Sequence, residues 1–139
     1  MSQKFLFVAA IVMVTASIAI TPLIAHHSIA GSFHTDEVEK LEGKVVEFQY
    51  RNPHAFLFIE GRNLSETNSQ PARWAVEWSP VSRLEKMGVK ATTLQPGDAV
   101  VIAANPSRKE GEHTVHLVGI VRPADGWKAG RAVDLPVSH

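Results

Sequence analysis

Apolar alternation in this chain slips once within a single run. Leu41, Gly43 and Val45 fall on one face of an extended segment, and then Val46, Phe48 and Tyr50 do. A one-residue slip moves every later side chain to the opposite face. The pattern therefore predicts one long strand over Val38 to Tyr50, bent by a bulge at Val45-Val46 close to Gly43. Arg51-Asn52-Pro53 then reads as a turn. A second strand from His54 to Glu60 places Phe56 and Phe58 on one face, and Ala55, Leu57 and Ile59 on the other. Gly61 to Ala72 is polar, without a period, and reads as a mobile hairpin loop. Arg73 to Ser79 alternates again, with Trp74, Val76 and Trp78 on one side.

Ser79-Pro80 reads as a helix start, a capping hydroxyl followed by proline at the first helical position. Val81, Leu84 and Met87 lie at helical spacing, and Gly88 supplies the stop. The Leu94-Gln95-Pro96-Gly97-Asp98 turn leads into a fourth strand over Ala99 to Ala104, and His113 to Arg122 forms a fifth. Three strands, a short helix and two strands, the first strand bent, match the order of an OB-fold barrel. The expected class is mainly β: a small OB-like five-stranded barrel with one short helix between strands 3 and 4. A two-layer α+β sheet with the helix on one face is the alternative. The 139 residues suit one domain. Its expected divisions are a leader over 1–25, an N-terminal arm over 26–37, the barrel over 38–122 and a loosely ordered tail over 123–139.

The leader has the layout of a secretory signal peptide. Lys4 is its only charge, Phe5 to Ile20 is apolar apart from Thr15 and Ser17, and Pro22 ends the run. That run is short of the ~20 residues a spanning helix wants, so no stable membrane span is expected after cleavage. Leu23 and Ala25 suit signal peptidase, which would make His26 the mature N-terminus in the periplasm or outside the cell. An uncleaved anchor is the competing reading. The absence of Cys excludes a disulfide framework, a thiolate metal site and a Cys nucleophile. Equal numbers of basic and acidic residues, 14 each, argue against a nucleic-acid partner.

Several short strings carry a family resemblance: His26-His27-Ser28, Leu41-Glu42-Gly43-Lys44-Val45, Asn52-Pro53-His54-Ala55, Trp74-Ala75-Val76-Glu77 and Leu94-Gln95-Pro96-Gly97-Asp98. Their order resembles exported bacterial proteins catalogued as domain of unknown function 6152. The resemblance covers most of the chain from the paired histidines through the fifth strand. It implies a small periplasmic or secreted β-domain and carries no activity with it.

Seven histidines in so short a chain set the chemistry to be considered. Cleavage after Ala25 would put a free amine beside the imidazoles of His26 and His27, and His54 could supply a further nitrogen. Such nitrogen-rich sets suit Cu(II), Ni(II) or Zn(II). The candidate metal ligands are therefore His26, His27 and His54, with copper the cofactor in view and His34 a spare. Solvated histidines without a role are the bland alternative. Glu77 is a candidate to orient the His54 imidazole, since carboxylates commonly fix ligating histidines, and Asn52 is a second candidate near it. His113 and His116 sit three apart on a strand, point to opposite faces and cannot share one ion. His116 reads as a rim or sheet-surface residue.

Phe56, Phe58, Trp74 and Trp78 offer either an aromatic binding face or barrel core. A domain this small needs its large rings inside, which favours core for all four, the two tryptophans above all. Glu60 and Glu77 on adjacent strands could form a hydrolytic carboxylate pair, but no nucleophile elbow, phosphate loop or dinucleotide fingerprint accompanies them. The sequence thus points to an exported binding module for a metal or small ligand. A structural or partner-interaction domain, its partner an unidentified periplasmic protein, competes with it, and a small periplasmic enzyme is less favoured.

Overall fold

The computed structural model describes residues 28–131. The leader, His26, His27 and His139 lie outside them. The elements are α1 (Ile29–Ser32), β1 (Glu39–Gln49), β2 (Phe56–Asn63), β3 (Ala72–Glu77), α2 (Val81–Lys86), β4 (Ala99–Pro106), β5 (Thr114–Arg122) and β6 (Trp127–Gly130). Among the described residues no helix is long and apolar enough to cross a membrane.

The slip in β1 is a real bulge. Val45 pairs with Ile59 and Glu47 with Phe58, so Val46 is the extra residue. Leu41 and Val45 point inward before it, and Phe48 and Tyr50 pack on the same core after it. One bent strand can therefore serve two sides of a barrel. β1 pairs with β2 and β4, β2 with β3, and β4 with β5, all antiparallel. Closure comes from Ala75–Glu77 of β3 running parallel to Thr114–His116 of β5. The circuit β1-β2-β3-β5-β4 is the OB-like barrel, with α2 between its third and fourth strands.

The core follows the alternation. Leu57, Ile59, Trp74, Val76, Val115, Leu117 and Ile120 line the interior, and Leu84 of α2 plugs one end with Val89 and Leu94. Leu84 is the single buried residue of that helix. The helix starts one position later than expected: Pro80 is the N-cap and makes no side-chain cap bond. The free Val81 N–H is met by Asn52 Oδ1 at 3.1 Å instead. The expected loop over 61–72 is also shorter, because β2 runs on to Asn63. That buried amide accepts from Ser65 N at 2.9 Å and donates to Glu66 Oε1 at 3.2 Å, which organises the hairpin.

The tail expected to be loosely ordered over 123–139 contains a sixth strand, β6, paired antiparallel with Gly119–Arg122. Its turn residues, Asp125-Gly126, make a hairpin rather than a breaker. Arg122 fixes that hairpin. Its guanidinium donates to Asp125 through Nε and Nη2, to Asp98 Oδ2 at 2.9 Å and to Thr93 O at 2.7 Å. It also lies 5.4 Å from the Trp127 ring centroid.

Asp98 joins this clamp to the turn before β4. The Gln95 N–H and then Arg122 hold its carboxyl below the ordinary carboxylate range. The unfolded chain thus binds that proton more tightly, so the stabilisation is full above the ordinary range and is lost as pH falls through the depressed value. Asp98→Asn is expected to cost about 1 kcal/mol at pH 7, the scale of a partly screened charged hydrogen bond. In thermal melts the gap from wild type should close in acid. A gap that stays constant to low pH would show that the charge is not what matters.

Candidate functional site

His54 is held stiffly. It follows the cis Asn52–Pro53 peptide and precedes β2. Next to it, Ala55 N–H donates to Ser79 O at 3.2 Å, and Trp78 N–H donates to Ala55 O at 2.8 Å. These bonds carry the β2–β3 ladder past the named strands and bring His54 alongside Glu77. His54 Nδ1 is paired with the Glu77 carboxylate. The imidazole is 42% exposed, and no partner engages its Nε2 among the described residues. A carboxylate on one ring nitrogen fixes the tautomer and leaves the other as the free donor atom.

Strand register extends this pair into a row. Gln49 pairs with Phe56, Phe56 with Glu77, and Glu77 with His116. Cross-strand partners share a face, so all four side chains point outward from the barrel. His116 is nevertheless largely covered, because Phe33 of the arm packs on its ring with centroids 5.6 Å apart. Its Nδ1 is buried and unpartnered among the described residues, as is Gln49 Oε1. Burial pushes the His116 pKa down, opposed by the Glu77 carboxylate and helped by the Arg83 guanidinium. A neutral imidazole is the form that can ligate a metal.

The arm reaches this row because its backbone is tied to the end of β4. His34 N–H donates to Pro106 O at 2.9 Å, Arg108 N–H to Ser32 O at 2.9 Å, and Arg108 Nε to Ala30 O at 2.8 Å. Phe33 is buried by the same contacts. Asn105, the β4 partner of His116, donates through Nδ2 to Glu37 O at 2.6 Å. Ile29 lines one cleft together with His116, Trp78, Ser79 and Arg83.

The model of a family of unknown function, DUF6152, matches residues 13–116. The chain belongs to the DUF6152 family. No curated protein and no solved structure matches it. The DUF6152 match takes in His26, His27, His54, Glu77 and His116, while β6 lies beyond its end.

Within this DUF6152 chain the sequence candidates separate. His54 and Glu77 are brought together, whereas Asn52 binds α2 rather than the imidazole. His113 rests on Trp74, with centroids 4.7 Å apart, and shares nothing with His116. Glu60 faces Arg73 in register, two rows from Glu77, so no carboxylate pair forms. The four aromatic residues do not make one surface either. The core expectation holds for Trp74 and Trp78 but not for Phe56 and Phe58: Leu57 and Ile59 fill the inward face of β2, so the two phenylalanines stack outside at 6.3 Å, with Arg73 5.0 Å from the Phe58 centroid.

His34, Asp36 and Glu37 are the one group of three ligand-type residues within 4.8 Å of one another among the described residues. The Arg108 guanidinium lies 3.3 Å from His34 Nδ1, and both acids are exposed. That cationic neighbour opposes a metal ion, and the group reads as the clasp of the arm. His116 is the residue sequence reasoning undervalued. An OB-like circuit requires strands 3 and 5 to run side by side, and aligning them would have set it opposite Glu77.

Proposed function

We propose that this DUF6152 chain is an exported β-barrel module that binds a transition metal, copper foremost, through His54 together with His26 and His27 of the arm. The observation that carries the reading is the His54–Glu77 pair, an oriented imidazole with an unengaged Nε2. Neutral His116 in the same row adds a further nitrogen-bearing group. The arm supports it as well, because Ile29 already shares a cleft with His116. His27 is two residues before Ile29, a reach of about 7 Å in extended chain.

With cleavage after Ala25, the His26 amine and imidazole would chelate Cu(II), and His54 would complete a nitrogen-rich set of the kind that copper favours. The bound ion would offer binding, delivery or redox chemistry according to its open positions. Glu77 would keep the His54 tautomer fixed.

The test uses mature protein beginning at His26, with calorimetry and electron paramagnetic resonance on added Cu(II). His54→Ala should weaken binding by at least about 10–100-fold, the cost of losing even an outer-shell partner of a ligand. One glycine added before His26 should change the spectrum and lower affinity by displacing the amine. Unchanged affinity and spectra in the His54 variant would remove it from the site. Intact mass of the periplasmic fraction tests export, with a chain starting at His26 expected.

A partner-binding role without metal is the second reading. It is favoured by the outward Phe56–Phe58 stack under Arg73, because the β2–β3 face of OB-folds is a common binding surface.

A further inference from the structure

The cleft that His116 shares with the arm, α2 and β6 has its own chemistry. Its volume is about 780 Å³, inside the range of small-molecule sites. Two guanidinium groups, Arg83 on α2 and Arg131 just after β6, line it, and no acidic side chain does. Neither arginine has a side-chain hydrogen bond or ion pair among the described residues. Of the other described arginines, Arg62, Arg73, Arg108 and Arg122 are engaged, with Glu42, Glu47, Ala30 O and the Asp98–Asp125 clamp respectively, and exposed Arg51 lies away from the cleft. The nearby Glu77 carboxylate is already taken by His54.

The remaining wall combines the polar Ser79, Asn105 and His116 with an apolar part. Trp78 lines the cleft, and so do Ile29 and Met87. Those last two are among the four large hydrophobics left exposed among the described residues, at 43% and 38%. Exposed apolar side chains gathered at one concavity mark a binding surface more often than scattered ones do. Here they stand beside uncompensated positive charge.

We propose that this cleft is a binding site for a small carboxylic acid with an apolar body, such as a medium-chain or aromatic acid. Its carboxylate would lie between Arg83 and Arg131, whose planar forks match that group. Its body would rest on Trp78, Ile29 and Met87. The inference does not depend on the metal reading: His116 borders the cleft, but the proposed contacts are made by Arg83, Arg131, Trp78, Ile29 and Met87.

The test is calorimetry on the mature chain in the presence of EDTA, which separates it from any metal result, with octanoate as the probe. Tryptophan emission gives a second readout, with Trp78 the one of the three tryptophans that lines the cleft. Octanoate should bind at least about tenfold more tightly than 1-octanol, which lacks the charge, and than acetate, which lacks the body. Both Arg83 and Arg131 are exposed, so Arg83→Gln and Arg131→Gln should fold normally. Each should weaken octanoate about five- to tenfold, the scale of one charged hydrogen-bonded contact in a partly open site. Arg62→Gln, away from the cleft, should not. Equal affinity for 1-octanol, no effect of either arginine variant, or no octanoate binding at millimolar concentration would each overturn the proposal.

Discussion

Trp74→Ala is expected to destabilise the barrel by about 3–5 kcal/mol, the usual cost of emptying a large aromatic from a core. The ring is 5% exposed and lies on the inward face of β3 opposite Ile59. Truncation would remove its area from the hydrophobic core and leave a cavity that strands on both sides are too constrained to close. It would also strand a backbone group, because Trp74 Nε1 donates to Gly61 O at 3.2 Å. The His113 ring would lose its packing surface too. For a domain of this size the loss is a large part of total stability. Phe58→Ala is the matched control. That ring is outward and half-buried, its contacts are Phe56 and Arg73, and its cost should be about 1 kcal/mol. Urea unfolding followed by circular dichroism compares the two. Equal costs would contradict the inward and outward assignment of strands 2 and 3.

That assignment is readable from spacing on β3 and not on β2. Trp74, Val76 and Trp78 alternate with charged or small residues, so a period of two marks them as core, whereas both faces of β2 are apolar and ring size points to Phe56 and Phe58 where Leu57 and Ile59 fill the interior. The bulge was equally legible, since a slip at Val46 is the only way to keep Val45 and Phe48 against one core. β6 was hidden because a four-residue strand has too few positions to show a period, and Asp125-Gly126 signals an end as readily as a hairpin. The start of α2 was misread for a different reason. Its N–H partner, Asn52, comes from a turn 29 residues earlier, and local capping rules cannot see it.

The site divides in the same way. His54 beside Glu77 could be anticipated from the turn and the adjacent strands. His116 could not be weighed from its own neighbours, because two distant events make it what it is. Parallel closure of β3 on β5 sets it opposite Glu77, and Phe33 from the arm covers it. Barrel closure therefore assembles the outward row as well as the core. Loosening the closed circuit should disturb both together.

The sharpest way to loosen it is at the crossing of β1 and β2. Gly43 and Gly61 are register partners there, and the strands approach so closely that neither has room for a side chain. A Cβ on Gly61 would stand 2.0 Å from Glu42 O and 2.7 Å from Gly43 Cα, and one on Gly43 would stand 2.4 Å from Glu60 O. These are backbone atoms, which cannot rotate away as a side chain would. Gly61→Ala must therefore push the strands apart, breaking ladder bonds and pulling Gly61 O from Trp74. We expect a loss of about 3 kcal/mol or more, at or above the upper end for overpacking. Gly88→Ala isolates the other reason for a glycine. Its φ is +76° with nothing within 4 Å of the added carbon, so only backbone strain of about 1–2 kcal/mol should appear. Paired urea titrations measure both. A Gly61 variant no less stable than the Gly88 variant would mean that the crossing has slack, and that barrel closure does not depend on it.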